Sequence, residues 1–503
     1  MRFVVNTKQM TDAELCSERN GIDRVVLMKN AACGCLCSLK KRLGELSGLS
    51  FALICGSGNN GGDGVELARL LTEEGAEAAV ILMNGMPATE TAKACASLYP
   101  IKLKTVPASD GERAYKLLRK ADVIIDCVFG TGFHGELPAL SADLFDYAKD
   151  CEGLRISIDI PSGVNGNSGA VSEHSFKPDI TLVLAALKTG LLNYPCCDFC
   201  GETEIVDIGI DDKCYKEYDG VFTDDSIFEK LPIRARHSNK GTFGKLLNVA
   251  GCENYIGAAV LSSKAALRAG AGLVTLASVR EVVRAAAVSV PECVFLRMRD
   301  DGEAFTQKDI QVLCGAAERA SAISVGCGMG NCDRTRKTVE LLLKNGKCPV
   351  ILDADGINSV SDNINVLKDN DRPIVLTPHP GEFSRLLGIS VKDVLANRLE
   401  LARRFAADNG TVLLLKGADT IIAAPDGRVY VNSSGNNALA KAGCGDVLTG
   451  IIGSLAAQGI EAFYAAVLGA YIHGKAADRL VEAFSAASVL AGDVIEALKH
   501  VMP

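Results

Sequence analysis

The sequence predicts an α/β protein of two domains. Strand-like apolar runs alternate with helical stretches through most of the 503 residues, which is typical of helices layered on a mainly parallel sheet. Many of these runs end in glycine-bearing turns. The alternation lapses over the charged segment 211–230, and the chain is too long for one hydrophobic core. We therefore expect one domain over residues 1–215 and a second over residues 225–503.

Five apolar runs of the first domain have the length of buried parallel strands. Each is followed by a polar or glycine-bearing turn, as expected where a strand gives way to a helix. The strands are expected at residues 51–55, 78–82, 122–126, 154–159 and 180–185. Residues 58–64, Gly-Asn-Asn-Gly-Gly-Asp-Gly, are expected to form the first of these turns, with a helix over residues 65–71.

The same pattern restarts in the second domain with the run 245–249, which again ends at a glycine. From Val447 to Leu498 the pattern is helical. The apolar helices within 449–473 are expected to lie in the core, because long apolar helices are usually buried. The other strands of this domain are expected near residues 273–277, 321–325, 349–353, 373–377, 411–415 and 420–424.

The composition argues against several functions. A formal charge of −8 disfavours a nucleic-acid-binding surface, because phosphate backbones select faces rich in lysine and arginine. The sequence has no apolar run of about 18 residues, the length that a membrane span needs. Its first residues lack a long apolar signal core, so we expect a cytoplasmic location.

Nineteen cysteines are scattered through apolar segments and do not form the pattern of a disulfide framework. Cys196, Cys197 and Cys200 have neither a second cysteine pair nor a nearby histidine to complete a four-ligand metal site. We therefore expect the thiols to behave as small buried hydrophobic groups.

Polar segments flanked by glycine stand at the ends of the predicted strands in the first domain. A strand, a glycine-rich turn and a helix N terminus direct backbone N–H groups to one place, where a phosphate can bind. In open α/β sheets ligands bind outside the carboxyl ends of the strands. Asn60, Asp126 and Asp159 are therefore expected to converge there, although either aspartate alone is more simply explained as a helix or turn cap.

Three motifs of this domain together resemble the NAD(P)H-hydrate epimerase domain. They are residues 58–64, Phe-Gly-Thr-Gly at 129–132 and Asp-Ile-Pro-Ser-Gly at 159–163. The resemblance covers about residues 1–215 and implies a Rossmann-like three-layer fold. It also implies interconversion of the R and S epimers of NADH and NADPH that carry a hydroxyl on carbon 6 of the nicotinamide ring. Lys29 departs from the family, which more often has an acidic residue at that position.

The resemblance implies roles for individual residues. Asp159 would be the acid–base group at the ring, and a pairing with Lys188 would keep it ionised. Oxygen ligands suit a hard cation, and a potassium ion would be held by Asn60, Asp126 and Ser162. The residues implied to line the phosphates and the ring of the substrate are Asn59, Asn60, Gly61, Gly62, Asp63, Gly130, Thr131, Gly132, Phe133, His134, Gly135, Glu136 and Asp159.

In the second domain a glycine-rich turn opens a helix that we expect to begin near Val447. Free N–H groups of residues 443–446 would form an anion site, strengthened by the positive end of the helix dipole. A carboxylate is unfavourable there unless it takes a proton from an attacking hydroxyl, which makes Asp446 a candidate base. A helix-capping role explains Asp446 equally well. His379 and Lys416 each follow a predicted strand, in loops of the kind where binding groups concentrate.

These segments resemble the ribokinase-like fold and, more narrowly, the NAD(P)H-hydrate dehydratase family. The narrow match depends on residues 255–259, 269–275, 377–382 and 436–450, and it covers roughly residues 225–503. The resemblance implies ADP-dependent removal of the ring hydroxyl from the S epimer, which restores NADH or NADPH and releases AMP and phosphate. A magnesium ion is expected on the phosphates.

Asp446 would start the reaction as the base that allows phosphoryl transfer to the hydroxyl, so that phosphate leaves instead of hydroxide. The N–H groups of residues 443–445 would stabilise the moving charge. Cys444 departs from the Ser or Thr of the family, and its thiol is expected to have a lowered pKa at the helix N terminus. The hydrated nucleotide would contact Ala258, Gly328, His379 and Asp446. ADP would contact Lys416, Gly417, Ala418, Asp419, Thr420, Gly443, Cys444 and Gly445.

The leading hypothesis is a bifunctional repair enzyme whose first domain interconverts the epimers and whose second domain consumes the S form. Two alternatives stay open: a ribokinase-like small-molecule kinase with an accessory domain, and a first domain that binds without catalysing. The residues do not decide between ADP and ATP, or between the hydrates of NADH and NADPH. The expected partners are small molecules, with no nucleic acid and no membrane, and we expect a homo-oligomer.

Overall fold

The computed structural model describes residues 2–98, 103–299, 307–368 and 370–503. Its chain divides into two compact units. The first comprises Met1–Val221 and Leu395–Asn397, and the second comprises Phe222–Val394 and Arg398–Pro503. Both units are α/β, as the sequence predicts. The division falls inside the charged segment 211–230, where a domain boundary is expected.

Seven parallel strands form the sheet of the first unit, in the order β4-β3-β2-β5-β6-β7-β9. In a separate ribbon, β1 pairs in parallel with β8 and antiparallel with β10. These ten strands are β1 (Phe3–Val5), β2 (Ser50–Cys55), β3 (Glu77–Leu82), β4 (Lys104–Pro107), β5 (Val123–Cys127), β6 (Leu154–Ile158), β7 (Ile180–Leu184), β8 (Leu187–Lys188), β9 (Glu202–Val206) and β10 (Gly220–Phe222).

Helices cover both faces of this sheet. Ala52 and Ile54 on β2 pack in one cluster with apolar residues of α5 and α6, whereas Cys55 faces the glycine-rich start of α3. The helices are α1 (Thr7–Arg19), α2 (Arg24–Leu43), α3 (Asn59–Glu73), α4 (Glu90–Leu98), α5 (Gly111–Lys120), α6 (Ala139–Lys149) and α7 (Cys196–Phe199). The strand order reverses between β2 and β5, and the carboxyl ends of strands at such a reversal form a natural ligand crevice.

The segment 58–64 is not the turn that the sequence predicts, because α3 already begins at Asn59. Its glycines serve close packing. A Cβ on Gly61 would lie 1.9 Å from the carbonyl oxygen of Gly56, and a Cβ on Gly64 would lie 2.7 Å from the Cys127 side chain. The absence of side chains thus lets the first turns of α3 press against the ends of β2 and β5.

Nine strands form the sheet of the second unit, in the order β13-β12-β11-β14-β15-β16-β17-β18-β19. The neighbours from β13 to β17 are parallel, and β17, β18 and β19 are antiparallel. The strands are β11 (Lys245–Val249), β12 (Leu273–Ser278), β13 (Val294–Arg297), β14 (Ala322–Val325), β15 (Val350–Leu352), β16 (Ile374–Leu376), β17 (Val412–Leu415), β18 (Ile421–Ala423) and β19 (Val429–Val431).

The largest apolar cluster of the second unit lies where α17, α18 and α19 pack with α8 against the sheet. The helices described in the rest of the chain are α8 (Ile256–Arg268), α9 (Arg280–Ser289), α10 (Gln307–Arg319), α11 (Asp333–Lys344), α12 (Asp355–Asn358), α13 (Asn365–Lys368), α14 (Pro380–Leu387), α15 (Val391–Ala396), α16 (Arg398–Asn409), α17 (Cys444–Ala457), α18 (Ala462–Val481) and α19 (Ala491–Val501). The apolar helices within 449–473 are core elements, as predicted.

Every strand that the sequence predicts is present within one or two residues. The expectation that the last helical region begins near Val447 is wrong by three residues, because α17 starts at Cys444. The analysis of apolar runs missed β1, β4, β8, β9, β10, β13 and β19, which have two to five residues each; β4 and β13 each expose both of their end residues. No helix among the described residues combines the length and the apolar character needed to cross a lipid bilayer.

Candidate active sites

A cavity of about 530 Å³ opens at the strand reversal of the first unit. Asn60 and Asp159 approach each other there: a Cβ added to Gly130 would lie 3.3 Å from Asp159 Oδ2 and 3.5 Å from Asn60 Cβ. The residues that the sequence assigns to the substrate and that line this cavity are Asn59, Asn60, Asp63, Gly130, Thr131, Gly132, Phe133 and Asp159.

Other residues assigned to the substrate lie elsewhere. Gly61 and Gly62 are buried in the packing of α3 and are not part of the cavity lining. His134, Gly135 and Glu136 are exposed and also lie outside it; His134 Nδ1 is 3.0 Å from Asn165 Nδ2. The structure therefore brings eight of the assigned residues to one cavity and leaves these five outside it.

Two features fix the position of the Asp159 carboxylate: its backbone conformation and an ion pair with Lys188. Its φ of 71° lies in the left-handed region, which is uncommon for a residue with a side chain and turns the carboxylate away from the strand path. Lys188 donates to Asp159 Oδ1 and, at 2.7 Å, to the carbonyl oxygen of Leu184. Lys188 is buried, with 1% of its surface exposed, so the ion pair forms one wall of the cavity.

Asp126 and Ser162 are fully buried beneath the cavity and do not line it. The Asp126 carboxylate accepts hydrogen bonds from Ser162 Oγ at 2.6 Å, Ser162 N at 2.8 Å, Ser157 Oγ at 3.0 Å and Val128 N at 3.1 Å. Burial raises the pKa of Asp126 to about 6, and these hydrogen bonds oppose the rise. This aspartate therefore ties β5 to the turn after β6.

The side chain of Asn60, unlike that of Asp126, is only partly hydrogen-bonded. Asn60 Nδ2 donates to the carbonyl oxygens of Phe129 at 3.1 Å and Ile158 at 3.3 Å. Its Oδ1 is buried and has no hydrogen-bond partner among the described residues. A buried acceptor without a donor is costly, so this oxygen is a candidate ligand for a cation or a bound donor.

The sequence analysis missed Glu14, a further carboxylate in this cavity. It projects from α1, is partly buried and lines the cavity together with Asp63 and the Lys188–Asp159 pair. Burial raises the pKa of Glu14, and the charge of Lys188 opposes the rise. Met10 also lines this cavity, and helical spacing from Met10 is the one signal in the sequence that places Glu14 on the same face.

In the second unit, a backbone turn aims the start of α17 at a cluster of polar side chains. Gly443 caps the helix with φ 92°, a conformation that favours glycine, and a Cβ there would lie 2.7 Å from Leu261 Cδ1. Asp446 lies in the first turn. The expectation of free N–H groups over residues 443–446 is wrong for Cys444, whose N–H donates to the carbonyl oxygen of Lys441 at 3.3 Å. The helix dipole and the remaining N–H groups of the first turn make this end of α17 suitable for an anion.

Asp353, at the end of β15, joins this cluster. Its carboxylate accepts from Lys416 Nζ at 3.0 Å and from the hydroxyls of Thr377 and Thr449 at 2.8 Å each. Burial alone would raise the pKa of Asp353, but the charge of Lys416 and these hydrogen bonds hold it below its usual value. Asp353 is thus the ionised partner that orients Lys416.

Asp446 lacks such a cation contact, and burial together with the charge of Asp353 raises its pKa to about 6. One oxygen of each carboxylate and Cys327 Sγ lie within 4.8 Å of one another. Because Lys416 already occupies one Asp353 oxygen, we regard this group as a proton-handling cluster. A carboxyl with a pKa of about 6 is well matched to act as a base near neutral pH.

A second cavity of about 530 Å³ lies beside this cluster in the second unit. Its lining includes Lys416, Gly417, Ala418, Asp419, Thr420, Cys444 and Gly445, all of which the sequence assigns to the nucleotide, whereas Gly443 lies outside the lining. The sequence analysis missed His473 of α18, which also lines the cavity. Burial, with a smaller effect from Lys416, lowers the pKa of His473 to about 4, so its imidazole is neutral.

The residues assigned to the hydrated nicotinamide, Ala258, Gly328, His379 and Asp446, lie outside this lining. His379 caps α14: its Nδ1 accepts from the N–H groups of Gly381 at 3.0 Å and Glu382 at 3.3 Å, which places the ring proton on Nε2. Burial lowers the pKa of His379. Gly328 packs against α8, since a Cβ there would lie 2.8 Å from Ala258 Cβ.

Two expectations about cysteines are wrong. Burial raises the pKa of the Cys444 thiol although the residue begins a helix, because removal from water outweighs the helix terminus. All nineteen cysteines are free, but Cys33, Cys37 and Cys332 are exposed and do not serve as buried hydrophobic groups.

Two family models match the chain, one for each unit. The model described as YjeF-related protein N-terminus matches residues 24–190, and the model described as NAD(P)H-hydrate dehydratase matches residues 246–500. The second model contains the whole lining of its cavity, whereas the first leaves out Met10, Glu14 and Ile208 of the other lining.

Curated relatives span the full length of the chain. The bifunctional NAD(P)H-hydrate repair enzyme Nnr of Moorella thermoacetica is 34% identical over 99% of this chain and 96% of the relative. The enzyme of the same name from Escherichia coli K12 is 32% identical over 90% of this chain and 85% of the relative. Both domains thus occur in one chain in these relatives as well.

Among solved structures, the ADP/ATP-dependent NAD(P)H-hydrate dehydratase of Bacillus subtilis, co-crystallised with ATP/Mg2+, has a TM-score of 0.50 and 33% identity. The matched region comprises 56% of this chain and 97% of the Bacillus subtilis chain. A ribokinase-like superfamily protein of Enterococcus faecalis has a TM-score of 0.50 and 25% identity over 56% of this chain and 95% of its own. These likenesses confirm the predicted ribokinase-like architecture of the second unit.

Proposed function

Because the chain belongs to the family of bifunctional NAD(P)H-hydrate repair enzymes, we propose that it repairs hydrated NADH and NADPH in two steps. The first unit interconverts the R and S epimers. The second unit dehydrates the S epimer at the expense of ADP and releases AMP and phosphate. The observation that supports this most directly is that each unit places carboxylates in or beside a cavity of its own, next to a helix N terminus suited to phosphate.

In the first cavity, we propose that the start of α3 and the loop at residues 130–133 hold the dinucleotide. Asp159 is proposed as an acid–base group at carbon 6 of the ring. The buried Lys188 pairs with the Asp159 carboxylate and fixes its direction, because leaving either group unpaired in a buried site would be strongly unfavourable.

A potassium ion is part of the proposal for this cavity. The unpartnered Oδ1 of Asn60 is the kind of hard oxygen ligand that such a cation takes. Asp126 already accepts four hydrogen bonds, so it would have to exchange one of them, with Ser162 Oγ the nearest candidate. When bound, the ion would supply a fixed positive charge close to the phosphates.

In the second unit, we propose that ADP occupies the cavity lined by residues 416–420 and the start of α17. Asp446 accepts the proton of the carbon-6 hydroxyl as its oxygen attacks the terminal phosphorus, and AMP leaves. The carbon-6 oxygen then departs as phosphate and carbon 5 loses a proton to solvent, which restores the C5–C6 double bond of the ring. The N–H groups at the start of α17 and the charged Lys416 stabilise the phosphoryl oxygens.

Magnesium belongs to the second site in this proposal, as the Bacillus subtilis relative was crystallised with ATP/Mg2+. The ion would be held mainly by the phosphates and would neutralise their charge. His379, with its proton on Nε2, would donate to the hydrated nicotinamide nucleotide near Ala258 and Gly328.

The proposal is tested with separately purified R and S hydrates of NADH and NADPH, each supplied with ADP or ATP and magnesium. We expect the NADH absorbance band to appear from both epimers, and the R epimer to convert to S when no nucleotide is present. A protein that leaves both hydrates unchanged with either nucleotide would exclude this function. Phosphorylation of an unrelated hydroxyl compound would instead favour the ribokinase-like kinase.

Two further expectations belong here. We propose that the chain forms a homo-oligomer and resides in the cytoplasm. Light scattering of the purified protein measures the first directly, with a mass of 52.9 kDa expected for a monomer and a multiple of it for an oligomer.

A further inference from the structure

Glu14 is the feature of the first cavity that the proposed roles leave unused. Its carboxylate forms no hydrogen bond or ion pair with the described part of the chain, although α1 places it in the lining beside Asp63, Asp159 and Lys188. Lys188 donates to one oxygen of the Asp159 carboxylate. The cavity therefore contains one carboxylate paired with a cation and two others, Glu14 and Asp63, without a hydrogen bond or ion pair to the described residues, and Asp63 is already assigned to the substrate.

Epimerisation at carbon 6 needs a group that gives a proton and a group that takes one. The hydroxyl on carbon 6 leaves as water only if it is protonated, while the lone pair of the ring nitrogen forms a C=N bond. Water then adds to the opposite face of carbon 6 and gives up a proton. No electrons are gained or lost, and the water that is released balances the water that is added.

We propose that Glu14 is the second catalytic residue of the first unit: its carboxylic acid protonates the departing carbon-6 hydroxyl, and Asp159 accepts the proton of the water that returns. This inference depends on the proposed epimerase function. After one turnover Asp159 carries the proton that Glu14 has lost, and exchange with solvent through the cavity restores both groups. The roles of the two carboxylates reverse for the opposite direction.

The surroundings of Glu14 favour its protonated form. Removal from water is the largest cause of its raised pKa; the charge of Lys188 opposes that rise, and the charge of Asp159 adds to it. The titratable and charged groups that act on Glu14 or feel its charge are Arg24, Asp63, Asp159, Lys188 and Tyr215. Arg24 already donates to Glu18 Oε2 at 3.1 Å and so is not free to neutralise Glu14 fully.

The test measures conversion of the R epimer to the S epimer by the full chain. No nucleotide is added, so that the second unit does not dehydrate the S epimer. The isosteric Glu14→Gln variant keeps the size and hydrogen bonding of the side chain but cannot donate a carboxylic proton. We expect kcat to fall about 100-fold with KM nearly unchanged. Asp12→Asn, on the exposed side of the same helix, is the matched control and should retain wild-type kcat.

A pH profile separates proton transfer from a structural role. In the wild type, kcat/KM should decline at high pH as Glu14 loses its proton; Glu14→Asp should keep this decline at lower pH, and Glu14→Gln should lack it. ADP-dependent turnover of the S epimer, an activity of the other unit, checks that each variant chain is active.

Three outcomes overturn parts of the proposal and are distinguishable. Wild-type protein that does not convert the R epimer would remove the proposed epimerase function itself. Glu14→Gln with wild-type kcat, or with a raised KM alone, would remove Glu14 as the acid while leaving epimerisation intact. If Asp63→Asn abolishes the high-pH decline and Glu14→Gln retains it, Asp63 is the acid instead.

Discussion

At the scale of single residues, buried carboxylates in this chain differ because their partners differ. Asp353 and Asp446 are neighbours in one cluster, yet Lys416 holds the pKa of Asp353 low while burial and the Asp353 charge raise that of Asp446 to about 6. The result is one permanent anion beside one group that titrates near neutrality. Such separation of neighbouring pKa values is typical of acid–base sites.

The assignment of Asp446 as base predicts a specific loss. Asp446→Asn should lower ADP-dependent dehydration of the S epimer by at least about 100-fold, because asparagine cannot accept the hydroxyl proton. Epimerisation by the first unit should continue unchanged in the same sample and serves as the control. Near-normal dehydration by this variant would rule out the assignment.

The same residue predicts the pH dependence of dehydration. The base must be deprotonated, and its pKa is raised to about 6, so activity is present above that pH and is lost as pH falls through it. We expect kcat/KM of the wild type to fall about tenfold for each pH unit below 6. A profile that stays flat down to pH 5 would contradict Asp446 as the titrating group.

At the scale of elements, the glycines at the start of α3 are needed because they let the helix pack closely against β2 and β5. They are not needed for unusual dihedral angles. Sequence reasoning located this element and its neighbours, because apolar runs and their ends follow from burial. It placed the helix start six residues too late, since a run of glycines signals a turn when the backbone contact that requires them is not visible.

This difference can be tested with two alanine substitutions. Gly61→Ala would bring a Cβ within 1.9 Å of a backbone oxygen that cannot move aside, and we expect a loss of stability of about 3 kcal/mol or more. Gly111→Ala, at the start of α5, meets only Tyr115 Cε2 at 3.6 Å and should be neutral or slightly stabilising. The measurement is the urea concentration at which half of the R-to-S conversion is lost. Equal urea midpoints for the two variants would show that the structure around residue 61 rearranges without a loss of stability.

At the scale of the whole molecule, we expect the first cavity to interconvert the R and S epimers and the second to consume the S epimer. In the Asp159→Asn variant, where asparagine tolerates the φ of 71°, we expect epimerisation to fall about 100-fold. With ADP present, the S fraction should be consumed at the wild-type rate and the R fraction should persist. Loss of R at the wild-type rate would show that Asp159 is dispensable.

The sequence predicted the two-domain α/β architecture and the strands from which both cavities are built. It also indicated the Asp159–Lys188 pair. It did not predict Glu14, Asp353 as the partner of Lys416, or His473, because these residues come from elements distant in sequence and carry no local motif. Nor did it predict that the Cys444 thiol has a raised pKa, which depends on burial by neighbouring helices.

Each cavity takes its lining from one unit alone: residues up to Ile208 build the first, and residues from Lys416 onward build the second. A gene divided between the two units should therefore leave all lining residues of each cavity within one product, provided that the break avoids β10, because a cut at codon 221 would interrupt the pairing of that strand with β1.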